Sequence, residues 1–393
     1  MDLTFTDAEE AFRHEARTWL KANVPKSRLK SFDTADGFEQ HREWEKQLFA
    51  GGWAVVTWPK VYGGRDCSLI EWLIFEEEYY AAGGPFRISA NGVTLLGPTL
   101  FEFGTQEQKD RYLPKMASGE EIWAQGWSEP NAGSDLAGIK TKAIRDGEWF
   151  VVNGQKTWTT RGAFADWLFC IFRTDPEAER HRGLTYFLVP VDTPGLTRRA
   201  VGRLDGEPGF CEVFFEDARV HESAILGGEA KGWNVAMATA SSERGLNLRS
   251  PGRFAAPAQK VVELYQRLSA NRDEAAGDLH PSLRAQVTRN WMNAQAYRWY
   301  TYYTAARLMG GGQMGPEASL MKIFWSELDV EIHATALRLL GAQGELMGDA
   351  PDAVDGGEWL DGYNFALAGP IYAGTNEIQR NIIAERVLGL PRG

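Results

Sequence analysis

Apolar residues recur at helical spacing from the start of the chain to about Glu120. In SLIEWLIFEEEYYAAGG, residues Leu69, Trp72, Leu73 and Phe75 cluster before a glycine pair, which predicts a helix with a glycine stop. The opening stretch, MDLTFTDAEEAFRHEARTWLKANVP, predicts another. Thr6 or Asp7 caps it, Glu9 and Glu10 suit its positive end, and Pro25 ends it. From about Trp123 to Ile225 the pattern shortens to β-type runs, EWFVVNG, DWLFCIFRT, GLTYFLVPVD and CEVFFEDARV, separated by DG, NG and proline turns. After Gly232 helical spacing returns and holds almost to the end. The order is helices, β, helices, which predicts a compact antiparallel β domain between two helical ones. TDPEAERHRG and MGDAPDAVDGGEW read as exposed loops on their proline, glycine and charge content.

Composition narrows the class. The chain has 393 residues, 44% hydrophobic and 24% charged, which is ordinary for a globular protein with sizeable cores. Its 53 Asp and Glu against 42 Lys and Arg argue against a nucleic-acid binder, which needs a basic face to neutralise phosphates. Small anionic ligands stay open through local arginines and backbone amides. Three cysteines, Cys67, Cys170 and Cys211, are far apart and form no CxxC pair, so neither a disulfide framework nor a zinc knuckle is indicated and a reduced, cytoplasmic setting fits. The six histidines include no HExxH, so no metal site is expected. No apolar run approaches the roughly 20 residues needed to span a bilayer, and the N-terminus lacks the basic and apolar regions of a leader peptide. The chain is rich in aromatics, with 15 Trp, 12 Tyr and 20 Phe, which implies large cores, a large interface or flat apolar pockets. Trp291, Trp299, Tyr300 and Tyr303, at helical spacing, read mostly as bundle core or interface.

Gly310, Gly312 and Gly315 satisfy G-x-G-x-x-G, but a dinucleotide site needs a strand before the loop and a helix after it. A long helical pattern precedes these glycines, which therefore read as a helix-to-helix turn. WAQGWSEPNAGSDLAG, residues 123–138, is a loop dense in amides and hydroxyls able to hold a planar polar ring or a phosphate. GEWFVVNGQKTWTTRGAFAD, residues 147–166, places Trp158 and Thr160 two apart, on one face of a strand, where an indole lies against a ring and a hydroxyl bonds its edge. Taken alone, turn formation and core packing explain both stretches equally well.

Together with GTQEQKDRYLPKMASGE, the Tyr62-Gly63-Gly64 turn, CEVFFEDARV and IYAGTNEIQRNIIAERVLG, these stretches resemble the acyl-CoA dehydrogenase family over nearly the whole chain. The resemblance implies an α+β architecture: an N-terminal helical domain over 1–121, a middle antiparallel β domain over 122–228 and a C-terminal four-helix bundle over 229–393. It implies FAD, an acyl-CoA substrate, an electron-transferring flavoprotein as acceptor, and a dimer of dimers. The implied reaction is α,β-desaturation: a carboxylate removes the α-proton while the β-hydrogen leaves as hydride to the flavin, which carries the redox step. The enolate oxygen is held by a flavin hydroxyl and a backbone amide of the base loop.

By the same resemblance, Gln125, Trp127 and Ser128 meet the isoalloxazine, and Trp158 and Thr160 lie against it. Ser134 falls near the phosphates or the thioester arm, and Thr375 and Glu377 match the loop that meets the flavin and its adenosine diphosphate arm, with Asn376 beside them. Many members carry Glu immediately before the Gly-Thr of that loop as the base; this chain reads Tyr372-Ala373-Gly374-Thr375. Some branched-chain and long-chain members take the base from the first helix of the C-terminal domain, directly before an arginine that contacts acyl-CoA. Ser242-Glu243-Arg244-Gly245 stands there, so Glu243 is the expected base and Arg244 the expected substrate contact. The R-x-x-F-G stretch that clamps a neighbouring subunit's FAD is missing, and its partner loop reads Gly341-Ala342-Gln343-Gly344. These departures resemble actinobacterial-type members that act on steroid or other bulky acyl-CoAs, some as heterotetramers with a second family member. Two other readings stay open: a flavin oxidase or monooxygenase on the same fold, and a non-catalytic partner subunit.

Overall fold

The structure is a computed structural model that describes residues 4–391 apart from 245–249, 271–278, 317 and 349, and leaves out the side chains of 242–244. Its helices are α1 (Asp7–Asn23), α2 (Ala35–Ala50), α3 (Leu69–Ala81), α4 (Gly97–Phe103), α5 (Gln106–Ser118), α6 (Gly232–Arg244), α7 (Gly252–Ala270), α8 (Pro281–Met309), α9 (Ala318–Leu340), α10 (Glu358–Ala366) and α11 (Asn376–Ile382). The strands are β1 (Trp123–Gly126), β2 (Lys142–Asp146), β3 (Trp149–Lys156), β4 (Trp167–Arg173), β5 (Leu184–Pro190), β6 (Leu196–Val201), β7 (Phe210–His221) and β8 (Ile225–Leu226). Contacts divide the chain into two compact units, one of Met1–Val24, Ser68–Gly84 and Arg244–Gly393, the other of Pro25–Cys67 and Pro85–Glu243.

The regular elements of the first unit are helices among the described residues. Of the two candidate caps, Thr6 closes α1: its side chain accepts from Glu9 N–H while the Glu9 carboxylate returns a bond to Thr6 N–H. Phe254, Val261, Leu264, Ala294, Trp325, Ile332 and Trp359 form the core, shared by α7, α8, α9 and α10. Helix α3 runs close to the start of α7 at Gly252, where an added Cβ would fall 2.6 Å from Glu76 O. Charge ties α3 to its other neighbours: Arg13 on α1 donates to Glu77 (3.2 Å) and Glu78 (3.0 Å), Arg17 donates to Glu78 (2.8 Å), and Arg298 on α8 pairs with Glu77. Tyr297 and Tyr302 are the buried aromatics of α8, whereas Trp291, Tyr300 and Tyr303 point outward and take no part in this chain's own core. Gly310–Gly312 form the expected turn after α8.

The second unit is built on an eight-stranded sheet, in the order β6-β7-β3-β2-β4-β5-β8, with β1 beside β4. Most pairs are antiparallel; β4 meets both β1 and β2 in parallel. The apolar runs of β4 and β5 are buried on both faces, and alternation on β7 buries Cys211, Val213 and Phe215. Phe150, Val152, Leu168, Cys170, Phe172 and Phe187 complete that core. Among the described residues no helix is long and apolar enough to cross a membrane, and none of the three cysteines is in a disulfide.

Candidate functional site

Strand β1 delivers the chain into the loop that begins Trp127-Ser128-Glu129. Glu129 and Ala132 exchange backbone hydrogen bonds at 3.0 Å in both directions, closing a tight turn around Pro130 and Asn131. Beneath this turn the Lys156 ammonium, at the end of β3 and fully buried, donates to Glu129 Oε1 (2.8 Å) and to Trp127 O (3.1 Å). Glu129 also accepts from the backbone N–H groups of Lys140 (2.6 Å) and Thr141 (3.0 Å). Burial alone would push the Glu129 carboxyl up, but Lys156 and these donors outweigh it and hold it below the usual carboxylate value. Burial draws the Lys156 ammonium down from its ordinary value, against the pull of Glu129. Three donor groups make four hydrogen bonds to the one carboxylate and the neighbouring carbonyl, which keeps a buried charge pair from being an orphan. This pair was not singled out from sequence, although Lys156 shares the parity of Phe150 and Val152 on β3 and so belongs to its buried face.

Past Lys156 the chain leaves the strand, and here the structure corrects the expectation for Trp158 and Thr160. They do not lie on a strand face: β3 ends at Lys156, and Trp158 takes a left-handed backbone, φ 57°, which breaks the alternation. Thr157 N–H bonds Ser128 O (2.9 Å) and Thr159 N–H bonds Cys211 O (3.0 Å), so the segment is fastened to the Ser128 loop on one side and to β7 on the other. The backbone turn leaves the Trp158 indole 60% exposed, touched by Phe210 at 5.6 Å ring to ring. Thr160 is half-buried two residues on, and the Thr159 hydroxyl between them is buried with no partner among the described residues.

Trp127 is placed differently from Trp158. Its indole is buried edge-on against Phe169 and Tyr186, so it backs the loop. Gln125 and Ser128 are half-buried and Ser134 is exposed, and with Thr160 their side chains make no hydrogen bond among the described residues. An exposed flat indole and four uncommitted polar side chains thus lie in loops that a buried ion pair and backbone bonds fasten together. Such a surface can hold a planar ring with a polar edge.

In the helical unit, Thr375 caps α11 by accepting from Ile378 N–H (3.2 Å), and Glu377 is exposed beside Arg380 (3.7 Å). Asn376 is buried: its side chain accepts from Lys322 Nζ (2.7 Å) and Ser326 Oγ (3.2 Å) and donates to Glu327 (3.3 Å). Gln379 donates to the carbonyls of Ala373 and Gly374, both at 3.3 Å. Ala373 itself is left-handed, φ 57°, and its N–H makes no hydrogen bond among the described residues. Glu243 and Arg244 form the last turn of α6, but their side chains lie outside the described residues.

Three family models match in series: the acyl-CoA dehydrogenase N-terminal domain over residues 6–120, the middle domain over 124–218 and the C-terminal domain over 230–388. The chain is 39% identical to the acyl-CoA dehydrogenase IpdE1 of Mycobacterium tuberculosis, over 98% of each chain. It is similar to the solved ChsE4-ChsE5 complex from Mycobacterium tuberculosis, with a TM-score of 0.87 and 30% identity over the full length of both chains. The Tcur3481-Tcur3483 steroid ACAD matches with a TM-score of 0.86, again at 30% identity and full coverage. Its sequence, domain order and fold agree: the chain belongs to the acyl-CoA dehydrogenase family of FAD-dependent oxidoreductases that act on CH–CH donors.

Proposed function

We propose that this protein desaturates the α,β-bond of a bulky, branched or ring-bearing acyl-CoA, with Glu243 as the base that takes the α-proton. The observation that carries the proposal is at Ala373. The loop that bears a glutamate in many relatives is present and held by Gln379 and Asn376, yet its side chain is a methyl group. A methyl group accepts no proton, so the base must come from elsewhere. Glu243, in the last turn of α6 next to Arg244, is the carboxylate that family resemblance puts in its place. Geometry would decide the assignment before pKa does.

FAD, when bound, is the two-electron acceptor of this oxidation. The residues present suit it: Trp158 offers a flat exposed face, and Gln125, Ser128 and Thr160 offer uncommitted polar groups for the ring edge. Trp127 supports that loop from behind, Ser134 serves the phosphates or the thioester arm, and Thr375 and Glu377 serve the adenosine diphosphate arm. The Ala373 N–H, which makes no hydrogen bond among the described residues, is a donor for the thioester carbonyl, where negative charge grows as the α-proton leaves. That role belongs to the backbone and survives the loss of glutamate at this position. Arg244 positions the CoA portion as a fixed, always charged donor fork.

The steroid class of substrate is suggested by the relative named as a steroid ACAD, and assembly with a second family member by the relative solved as a complex. The missing R-x-x-F-G and altered Gly341–Gly344 turn favour that heteromeric assembly over a dimer of dimers. An electron-transferring flavoprotein is the proposed acceptor, in the cytoplasm. The test is to purify the chain alone and with a co-expressed second family member, record visible spectra, and add straight-chain, branched and steroid-derived acyl-CoAs without oxygen. Loss of flavin absorbance with the bulky substrates is the expected result. A chain that stays colourless alone and adds no active site to its partner would instead make it a non-catalytic subunit.

A further inference from the structure

The segment Thr157–Gly162 contains two left-handed non-glycine residues, Trp158 (φ 57°) and Arg161 (φ 56°). Each such residue costs on the order of 1–2 kcal/mol, and a pair within four residues persists only where the surroundings force it. The forcing side chain is Arg161. Its guanidinium carbon lies 4.9 Å from the Phe32 ring centre and 4.7 Å from that of Phe86, and the two rings stack at 4.8 Å. The Asp33 carboxylate beside it is fully buried and pairs with Arg203. Burial pushes the Asp33 carboxyl up, while the charges of Arg161 and Arg203 work to keep it ionised. Arg203 in turn bonds Asp205 (2.6 Å), and its loop ends at Gly209, whose carbonyl accepts from Arg161 N–H (3.1 Å). A Cβ there would lie 2.6 Å from Arg203 Nη1, so a side chain at 209 would push the Arg203 guanidinium out of its place. The interactions therefore close on themselves: the Arg161 charge acts on Asp33, Asp33 pairs with Arg203, and the Arg203 loop returns to the Arg161 backbone.

We infer that Arg161 is a positioning residue for flavin binding: locked against the Phe32 and Phe86 rings, with the Asp33 charge close by, it holds the turn that presents Trp158 and Thr160. The inference rests on the reading of Trp158 as a flavin contact. A guanidinium suits the place because it stacks flat on rings while serving a carboxylate, which an ammonium does not do. In this role Arg161 need not touch the flavin or the substrate; it acts through the backbone of its own turn.

The test uses the purified holoenzyme and four variants, Arg161→Ala, Arg161→Lys, Trp158→Ala and the double change, with FAD dissociation constant, flavin visible spectrum and thermal midpoint as readouts. Arg161→Ala is expected to weaken FAD about tenfold or more and to move the spectrum towards that of free FAD. Arg161→Lys should recover only part of this. On the Trp158→Ala background, Arg161→Ala should lose most of its effect, a non-additivity that general loosening of the fold would not produce. A folded Arg161→Ala protein with wild-type FAD affinity and spectrum overturns the inference, as does strict additivity. Should Arg161→Ala fail to fold, Phe86→Leu, which removes one ring of the lock and keeps the position apolar, decides by the same readouts. If Trp158→Ala alone leaves FAD affinity and spectrum unchanged, the flavin-contact reading fails instead, whatever Arg161 does.

Discussion

Lys156 Nζ lies 2.8 Å from Glu129 Oε1, both groups are buried, and the pair joins the end of β3 to the loop after β1. Neither charge is exposed to solvent that could compensate the loss of its partner. Glu129→Gln or Lys156→Met should each destabilise the protein by about 3–5 kcal/mol, because each leaves one buried charge without its counter-charge. The double variant should be less destabilised than the sum of the two. Urea unfolding of all four proteins gives the coupling energy; simple additivity would mean that the two groups do not act as a pair.

The same carboxylate sets an acid limit. Glu129 is held below the ordinary carboxylate value, so its contribution is complete above that value and is lost as pH falls through the lowered one. The stability gap between wild type and Glu129→Gln should be wide at neutral pH and should narrow below the ordinary carboxylate range. Unfolding midpoints measured in a pH series check this; a constant gap would contradict it.

Gly252→Ala probes the helical unit. The new methyl would meet backbone atoms of Glu76 and Glu77 at 2.6–3.0 Å, and backbone cannot rotate aside as a side-chain tip can. Forcing α3 from α7 should cost about 1–3 kcal/mol, seen as a lowered denaturant midpoint with FAD affinity retained. A variant as stable as wild type would show that the two helices have slack at this crossing.

The helices and the buried strands were legible in the sequence because their signals are local. Thr6 and Glu9 lie three apart at the head of an apolar helical run, and β4 and β5 are unbroken apolar stretches. Strand β6, LTRRAV, was not legible: it lies at the sheet edge with most of its side chains in solvent, so neither alternation nor a buried run marks it. Strand β2, KAIRD, lies inside the sheet but buries only Ala143, so its side chains mark no apolar run either. The site was legible in its motifs but not in its backbone. Extending the alternation of β3 put Trp158 and Thr160 on a strand, whereas a left-handed turn at Trp158 ends that pattern. The lock on Arg161 could not be read locally, since Phe32, Asp33 and Phe86 come from distant parts of the chain.

Glu243 is the central residue of the proposed reaction. Glu243→Gln keeps the size and polarity of the side chain and removes only its ability to take a proton, so FAD content, spectrum and acyl-CoA binding should stay as in the wild type. Anaerobic mixing with a bulky acyl-CoA that bleaches the wild-type flavin should then bleach the variant at least about 100-fold more slowly, the scale of a lost general base. Bleaching within about fivefold of the wild-type rate would contradict the account and move the base to another residue.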